Sequence, residues 1–101
     1  MKEADIKRLI CEWLALQKGC FFWIQSAGKI PGRINRSRFQ RNGISDILGI
    51  WKGRPMAIEV KMPEGRVSEE QKEFLARFAA EGGISIVAKT LDDVTSVLQL
   101  L

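Results

Sequence analysis

The amino-acid sequence predicts a single α/β domain spanning residues 1–101, with a mixed four-stranded sheet flanked by helices in the order α-β-β-β-α-β-α. Its 101 residues are an ordinary length for one domain. Apolar residues at helical spacing alternate with short runs rich in β-branched and aromatic residues. The stretch from Met56 to Ala88 reads as strand, helix and strand, which favours parallel strands joined by a right-handed crossover.

The N-terminal third predicts one helix and one strand. From Glu3 to Gln17, apolar side chains recur at the i, i+3 and i+4 positions of an amphipathic helix. Gly19 follows the pattern and suits the end of a helix. The run Cys20–Gln25 is short, aromatic and bounded by turn residues, so we expect a strand there.

A long basic loop is predicted from Ser26 to Gly43, because glycine, proline and polar residues interrupt any period there. A loop of this length in a compact domain is usually functional or disordered. It carries no acidic residue between positions 29 and 41, and such a charge run attracts a polyanion. A solvated loop without a partner explains the run equally well. The positive residues are Lys29, Arg33, Arg36, Arg38 and Arg41.

A β-hairpin is predicted next, with strands at residues 44–51 and 56–61. The segment between them, Lys52-Gly53-Arg54-Pro55, has turn chemistry. A two-residue turn at Gly53-Arg54 pairs Lys52 with Pro55, and the same register then places Asp46 opposite Lys61.

The C-terminal third predicts a helix, a strand and a second helix. Ser68 and Gln71 form a capping box that opens a helix running to about Ala80. The apolar run at residues 84–88 suits a strand covered on both faces. A second capping pair, Thr90 and Asp93, opens the last helix, for which we expect Val94, Val97, Leu98 and Leu101 to face inward.

The charged residues of the hairpin are expected to project together. Glu59 and Lys61 are two positions apart on one strand and therefore share a face. Directly opposed residues of antiparallel strands also share a face, so Asp46 joins them, and any turn of even length preserves this. Two neighbouring carboxylates among apolar residues repel each other unless a cation lies between them. This indicates a divalent metal such as Mg²⁺, although a surface salt bridge explains an isolated Glu-x-Lys pair as well.

Composition removes other chemistries. The chain has no histidine and no tyrosine, which excludes Ser-His-Asp and Cys-His catalysis and a tyrosyl–DNA intermediate. The net charge of +4 alone says little. No apolar stretch is long enough for a membrane span or a signal peptide. We therefore expect an intracellular, cytoplasmic protein whose Cys11 and Cys20 are reduced.

The sequence resembles the VRR-NUC family of the PD-(D/E)xK nuclease superfamily. The motifs that carry the resemblance are Gly43-Ile-Ser-Asp46-Ile-Leu-Gly49, Ala57-Ile-Glu59-Val-Lys61 and Ser68-Glu-Glu-Gln71. The resemblance implies a restriction-endonuclease-like core with Mg²⁺ or Mn²⁺ held by Asp46, Glu59 and the Val60 carbonyl. It also implies that Lys61 is catalytic and that Gln71 lies near the site.

Two assignments stay open under this resemblance. The family places a glutamate on its first helix, and Glu3 fits best, with Glu12 as the other candidate. Gln71 either serves the site or only caps its helix, and the two roles are compatible. The family's usual proline before the aspartate is replaced by Ser45.

The resemblance implies a metal-dependent, structure-selective DNA endonuclease that pairs as a homodimer and acts on branched or four-way-junction DNA, in a bacterial or phage-infected cell. Phosphate contacts from the basic loop would position DNA without reading its sequence. Two rival functions remain: a non-catalytic nucleic-acid-binding module, and a nuclease subunit targeted by a partner protein. The expected phosphate-binding residues are Arg33, Arg36, Arg38 and Arg41.

Overall fold

The computed structural model describes residues 1–25 and 39–101, and the helices and strands along them follow the predicted order. The predicted loop from Ser26 to Gly43 lies mostly outside the described residues. In the described part of the chain, no helix is both long and apolar enough to cross a membrane. The elements are α1 (Glu3–Ala15), β1 (Cys20–Ile24), β2 (Ile47–Trp51), β3 (Arg54–Val60), α2 (Glu69–Ala80), β4 (Ile84–Ala88) and α3 (Leu91–Leu98).

The four strands form one mixed sheet in the order β1-β2-β3-β4. β1 pairs antiparallel with β2, and β2 pairs antiparallel with β3. β3 and β4 are parallel and are connected through α2, which confirms the predicted β-α-β unit. The carboxyl end of β3, which carries Glu59, therefore lies beside the carboxyl end of β4.

The hairpin turn differs from the predicted one. Trp51 pairs with Arg54, so the turn residues are Lys52 and Gly53 rather than Gly53 and Arg54. Both turn residues have positive φ, 46° and 85°, as a two-residue turn with right-handed strand twist requires. The register therefore shifts by two residues and, continued by one pair, sets Asp46 opposite Glu59 instead of Lys61. Because the turn keeps an even length, the predicted shared face is unaffected.

The main hydrophobic core lies on the face of the sheet that α1 and α3 cover. From β3 this core takes alternate residues, and each fully buried large apolar side chain contributes about 1.5–3 kcal/mol relative to an exposed one. Of the four C-terminal residues expected to face inward, Val97 is exposed because α3 presents only one stripe to the sheet, and Leu101 is exposed beyond the end of that helix. The fully buried members include Ile10, Leu14, Ile47, Met56, Ile58, Val60, Val94 and Leu98.

The described part of the chain covers only half of the opposite face of the sheet. α2 packs on β3 and β4, with Leu75 buried and the Ser85 hydroxyl donating to the Leu75 carbonyl at 2.8 Å. Over β1 and β2 no helix among residues 1–25 and 39–101 packs on this face, and Phe21 is 69% exposed, Trp23 43% and Ile50 38%. The charged set lies on this second face, at the edge of the part that α2 covers.

Candidate metal centre

The site is assembled at the end of the sheet where β2 begins and β3 finishes. Asp46 immediately precedes β2, Glu59 is the penultimate residue of β3, and Lys61 follows that strand. Gln71 lies in the first turn of α2, which covers this end of the face. The structure thus brings together the four residues that the sequence motifs single out.

Asp46 is held by both neighbouring strands. The Gln25 amide donates to the Asp46 carbonyl at 2.8 Å, which extends the β1–β2 pairing by one step. The Val60 amide donates to Asp46 Oδ2 at 2.8 Å, so the carboxylate replaces a backbone partner where the β2–β3 ladder ends. The side chain of Asp46 is therefore fixed against the backbone next to Glu59.

Glu59 is a buried carboxylate that is only half satisfied. Its exposed fraction is 2%. Its Oε2 accepts from Gln71 Nε2 at 3.2 Å and lies 3.7 Å from Lys61 Nζ. When both carboxyls are ionised, its Oε1 is buried without a hydrogen-bond donor among residues 1–25 and 39–101. Such an orphaned oxygen destabilises the fold by about 1–3 kcal/mol or more unless a cation or a proton reaches it.

Burial raises the pKa of Glu59 from 4.5 to about 8. The Asp46 carboxyl adds to the rise in this pKa through a hydrogen bond and through its negative charge, whereas Lys61 opposes it. The negative charge of Glu3 also raises this pKa, as the last of these causes. Without a cation, the carboxyl pair therefore holds a proton near neutral pH, and a divalent ion would take the place of that proton.

Gln71 makes the contacts that both of its predicted roles require, one set with Ser68 and one with Glu59. Its backbone amide donates to Ser68 Oγ at 3.1 Å and its side-chain Oε1 accepts from the Ser68 amide at 2.9 Å, which completes the capping box. Its Nε2 donates to Glu59. Because the cap fixes the amide oxygen, the amide NH₂ group is turned toward the carboxylate.

Of the two candidates for the first-helix glutamate, Glu3 and Glu12, the geometry of α1 favours Glu3, although both side chains are exposed. At about 100° per residue, Glu3 lies about 20° from the direction of Ile10, whereas Glu12 lies about 200° from it. Ile10 is fully buried against the sheet. Glu3 therefore sits over the same side of α1 as the core, consistent with its effect on the pKa of Glu59, and Glu12 faces away.

Lys61 is the cation nearest the carboxylate pair among the contacts of the described residues. Its side chain is 18% exposed, and its backbone amide donates to the Ala88 carbonyl at 2.9 Å. This backbone bond ties the residue to β4 just beyond the end of β3. The ammonium group therefore stands at the rim of the site, between the buried Glu59 and solvent.

The basic loop is described only at its end. Arg33, Arg36 and Arg38 lie outside the described residues. Arg41 is exposed and borders a cavity of about 320 Å³ on the α2 side, together with Phe74 and Arg77. A positive group thus stands on the chain that leads into Asp46.

The donor set suits a hard divalent cation. Within residues 1–25 and 39–101, no group of three or more His, Cys, Asp or Glu side chains is arranged to hold a metal. Two carboxylates, Asp46 and Glu59, are next to each other, and the Val60 backbone contacts Asp46. Mg²⁺ and Mn²⁺ accept such oxygen ligands and complete their shell with water and substrate phosphate. The orphaned Oε1 of Glu59 fits this role.

A mixed α/β sheet with two carboxylates, a lysine and a glutamine at one end of one face is the arrangement that the resemblance to a nuclease family predicts. The chain belongs to the VRR-NUC family, since the model of the VRR-NUC domain matches residues 1–91. A solved VRR_NUC domain protein has the same fold, with 23% sequence identity and a TM-score of 0.65 over 98% of this chain and 86% of that chain. None of the curated proteins matches the chain.

Proposed function

We propose that the chain is a Mg²⁺- or Mn²⁺-dependent, structure-selective DNA endonuclease that hydrolyses phosphodiester bonds, with branched DNA such as four-way junctions as its substrate. The observation that carries this proposal is the buried, unpaired Oε1 of Glu59 beside Asp46. A carboxylate pair of this kind gains nothing structurally from being buried. The burial of this pair is explained if the two carboxylates bind a divalent ion that also contacts a substrate phosphate.

Each residue has a defined part in the proposed hydrolysis. Asp46, Glu59 and the Val60 carbonyl would hold the ion, which when bound lowers the pKa of water and neutralises charge on the phosphate. Lys61 orients the attacking water and stabilises the charge that develops on the phosphate oxygens. Gln71 keeps Glu59 in place through its amide. The oxygen of water forms a bond to phosphorus and gives up a proton to solvent, the bond from phosphorus to the leaving oxygen breaks, and that oxygen takes a proton from solvent.

The basic loop is proposed to bind DNA phosphates. The support is its charge and the exposed position of Arg41 on the chain leading to Asp46. Arg33, Arg36 and Arg38 would add further contacts. Each lost phosphate contact reduces the slope of log affinity against log salt by about 0.9 on duplex DNA. Replacing Arg36 and Arg38 by alanine is thus expected to flatten this slope by about two, and an unchanged slope would exclude the loop from the DNA footprint.

A second copy of the chain is the proposed protein partner. A two-fold dimer would present two sites to a symmetric junction. The open face of the sheet supports this, because Phe21 and Trp23 leave apolar surface in solvent. Light scattering on the wild type and on a Phe21→Ser/Trp23→Ser double variant tests it. A wild type that is monomeric at micromolar concentration would exclude the dimer.

A cleavage assay with matched lysine variants tests the activity. Duplex, flap and four-way-junction DNA are each incubated with Mg²⁺, Mn²⁺ or EDTA. Lys61→Ala removes the cation 3.7 Å from Glu59. Lys72→Ala removes an equal charge from an exposed pair with Glu69 on α2, which contributes little. We expect metal-dependent cleavage that Lys61→Ala abolishes and Lys72→Ala leaves intact.

The other outcomes separate the rival functions. Metal-independent cleavage, or equal rates for both lysine variants, would overturn the mechanism. DNA binding without cleavage, unaffected by Asp46→Ala, would identify a non-catalytic binding module. A protein that binds Mn²⁺ but cuts none of the substrates would indicate a nuclease subunit that a partner protein directs.

A further inference from the structure

Gly43 makes an unusually close approach to α2. A Cβ atom built on Gly43 would lie 2.5 Å from both the carbonyl carbon and the oxygen of Glu70, and 2.7 Å from the amide nitrogen of Gln71. Ordinary van der Waals contacts of Cβ atoms begin at 3.4 Å. The residue also has φ +75°, a conformation that side chains disfavour. The chain before Asp46 is therefore seated directly on the peptide unit that joins Glu70 to Gln71.

This same turn of α2 also holds the other carboxylate. The side chain of Gln71 donates to Glu59, and its amide is fixed by the cap with Ser68. Asp46 lies three residues beyond Gly43, which is at most about 10 Å of extended chain. One rigid turn thus contacts both the segment leading to Asp46 and the side chain of Glu59.

We propose that Gly43 is a positioning residue whose close packing on α2 sets the separation of Asp46 and Glu59, and thereby the affinity of the site for a divalent cation. This inference rests on the proposed function. A Cβ at position 43 forces the two segments apart by nearly the difference between 2.5 and 3.4 Å. A misplacement of about 1 Å in a catalytic site costs about 10²-fold in rate.

The bonds that already hold Asp46 do not replace this contact. The Gln25 and Val60 amides tie Asp46 to β1 and β3, which fixes it within the sheet. Neither bond fixes the sheet segment relative to α2, and Glu59 takes its orientation from α2 through Gln71. A displaced segment at position 43 is therefore expected to disturb the pair of carboxylates while leaving the strand pairing in place.

Mn²⁺ binding measured by calorimetry, with Gly82→Ala as the matched control, tests the proposal. Gly82 also has positive φ, +97°, but a Cβ there meets nothing within 4 Å. Alanine at either position therefore carries the same kind of backbone strain, and only Gly43→Ala adds the overlap. We expect both variants to melt a few degrees lower, roughly as one strained residue predicts. Gly43→Ala should weaken Mn²⁺ binding by about tenfold or more, with Gly82→Ala within about twofold of wild type.

A second variant, Gly43→Asn, separates strain from overlap, because asparagine tolerates positive φ better than alanine yet carries a Cβ. It should keep most of the stability and lose Mn²⁺ affinity as Gly43→Ala does. Either variant folded with wild-type affinity would overturn the positioning role and leave the proposed nuclease untouched. Failure of both to fold would also overturn it, since the contact would then hold the fold itself. A wild type that binds no Mn²⁺ would overturn the metal site and this inference together.

Discussion

The two faces of β3 have different roles, since one belongs to the hydrophobic core and the other carries the candidate metal site. Met56, Ile58 and Val60 point into the main core and are fully buried. Glu59, one residue from Ile58, points to the opposite face and is also buried, at 2% exposure, but with one oxygen unpaired. Because side chains alternate along a strand, one short segment supplies both a hydrophobic wall and a charged site. Burial of the apolar side chains on the first face stabilises the protein. Burial of the Glu59 carboxylate on the second face destabilises it, and we attribute its presence there to the proposed metal site.

The largest expected effect is on activity, from Glu59→Gln. The amide keeps the shape of the side chain but removes a negative charge from the proposed metal site. We expect cleavage to fall by about 10³-fold, or about 4 kcal/mol of transition-state stabilisation. Melting of the same variant at pH 8 should be equal to or higher than that of wild type, because the charge repulsion with Asp46 is gone. A variant that cuts normally would remove Glu59 from the site.

On the core face, Ile58→Ala should lower stability and leave activity nearly unchanged. Removing a fully buried isoleucine typically costs about 2–5 kcal/mol. Ile50→Ala is the matched control, since Ile50 is 38% exposed on the neighbouring strand and should lose less than about 1 kcal/mol. Urea denaturation measures both. Cleavage per folded Ile58→Ala molecule should stay within a few-fold of wild type, and a large loss would show that the two faces are not separable.

The sequence could predict the elements of this fold because their signals are local. Capping pairs such as Ser68 with Gln71 mark helix starts, and alternation marks strands. The register of the hairpin could not be predicted fully, because Gly53 suits either the first or the second turn position, and the structure uses it as the second. Because the predicted and the observed turn both have two residues, the prediction that Asp46 and Glu59 share a face was still correct.

Other features of the site depend on packing between distant segments. The preference for Glu3 over Glu12 depends on the rotation of α1 against the sheet, which the buried Ile10 reveals. The close approach of Gly43 to Glu70 involves residues 27 positions apart, and a lone glycine in a loop gives no sign of it. Such tertiary contacts leave no trace in the local pattern of one sequence.

The next largest effect should be a pH dependence of stability that comes from Glu59, on the face of β3 opposite the main core. The folded pKa of Glu59, about 8, lies above its unfolded value of 4.5, so the folded state binds more protons between these values. Its contribution to stability is complete below about pH 4.5 and is lost as pH rises through about 8. Melting in EDTA should thus fall over this range in wild type and stay flatter in Glu59→Gln. Mg²⁺ should restore stability at pH 8, and an identical pH profile for both proteins would contradict the coupling.

A smaller effect is expected from the two capping boxes. Gln71→Ala removes the cap of α2, at about 1 kcal/mol, together with the hydrogen bond to Glu59. Asp93→Ala removes the corresponding cap of α3, where Asp93 Oδ2 accepts from the Thr90 amide at 3.1 Å and from the Lys89 amide at 2.8 Å. Both variants should lose similar stability in thermal melts. Only Gln71→Ala should lose activity, by about tenfold, and equal activity would reduce Gln71 to a cap.

The smallest effect should come from Ser45, which precedes Asp46 and is completely buried with no hydrogen-bond partner for its hydroxyl within the described ranges. Replacing such a group by alanine removes a desolvated oxygen and is close to neutral or stabilising, within about 0.5 kcal/mol. Ser85→Ala is the matched control, because the Ser85 hydroxyl donates to Leu75 at 2.8 Å and should lose about 1 kcal/mol. Chemical denaturation of the pair separates a polar group that the fold merely tolerates from one that it uses. A loss at Ser45 as large as that at Ser85 would mean that the segment entering the site is held by its side chain, and not only by the backbone contacts of Gly43 and Asp46.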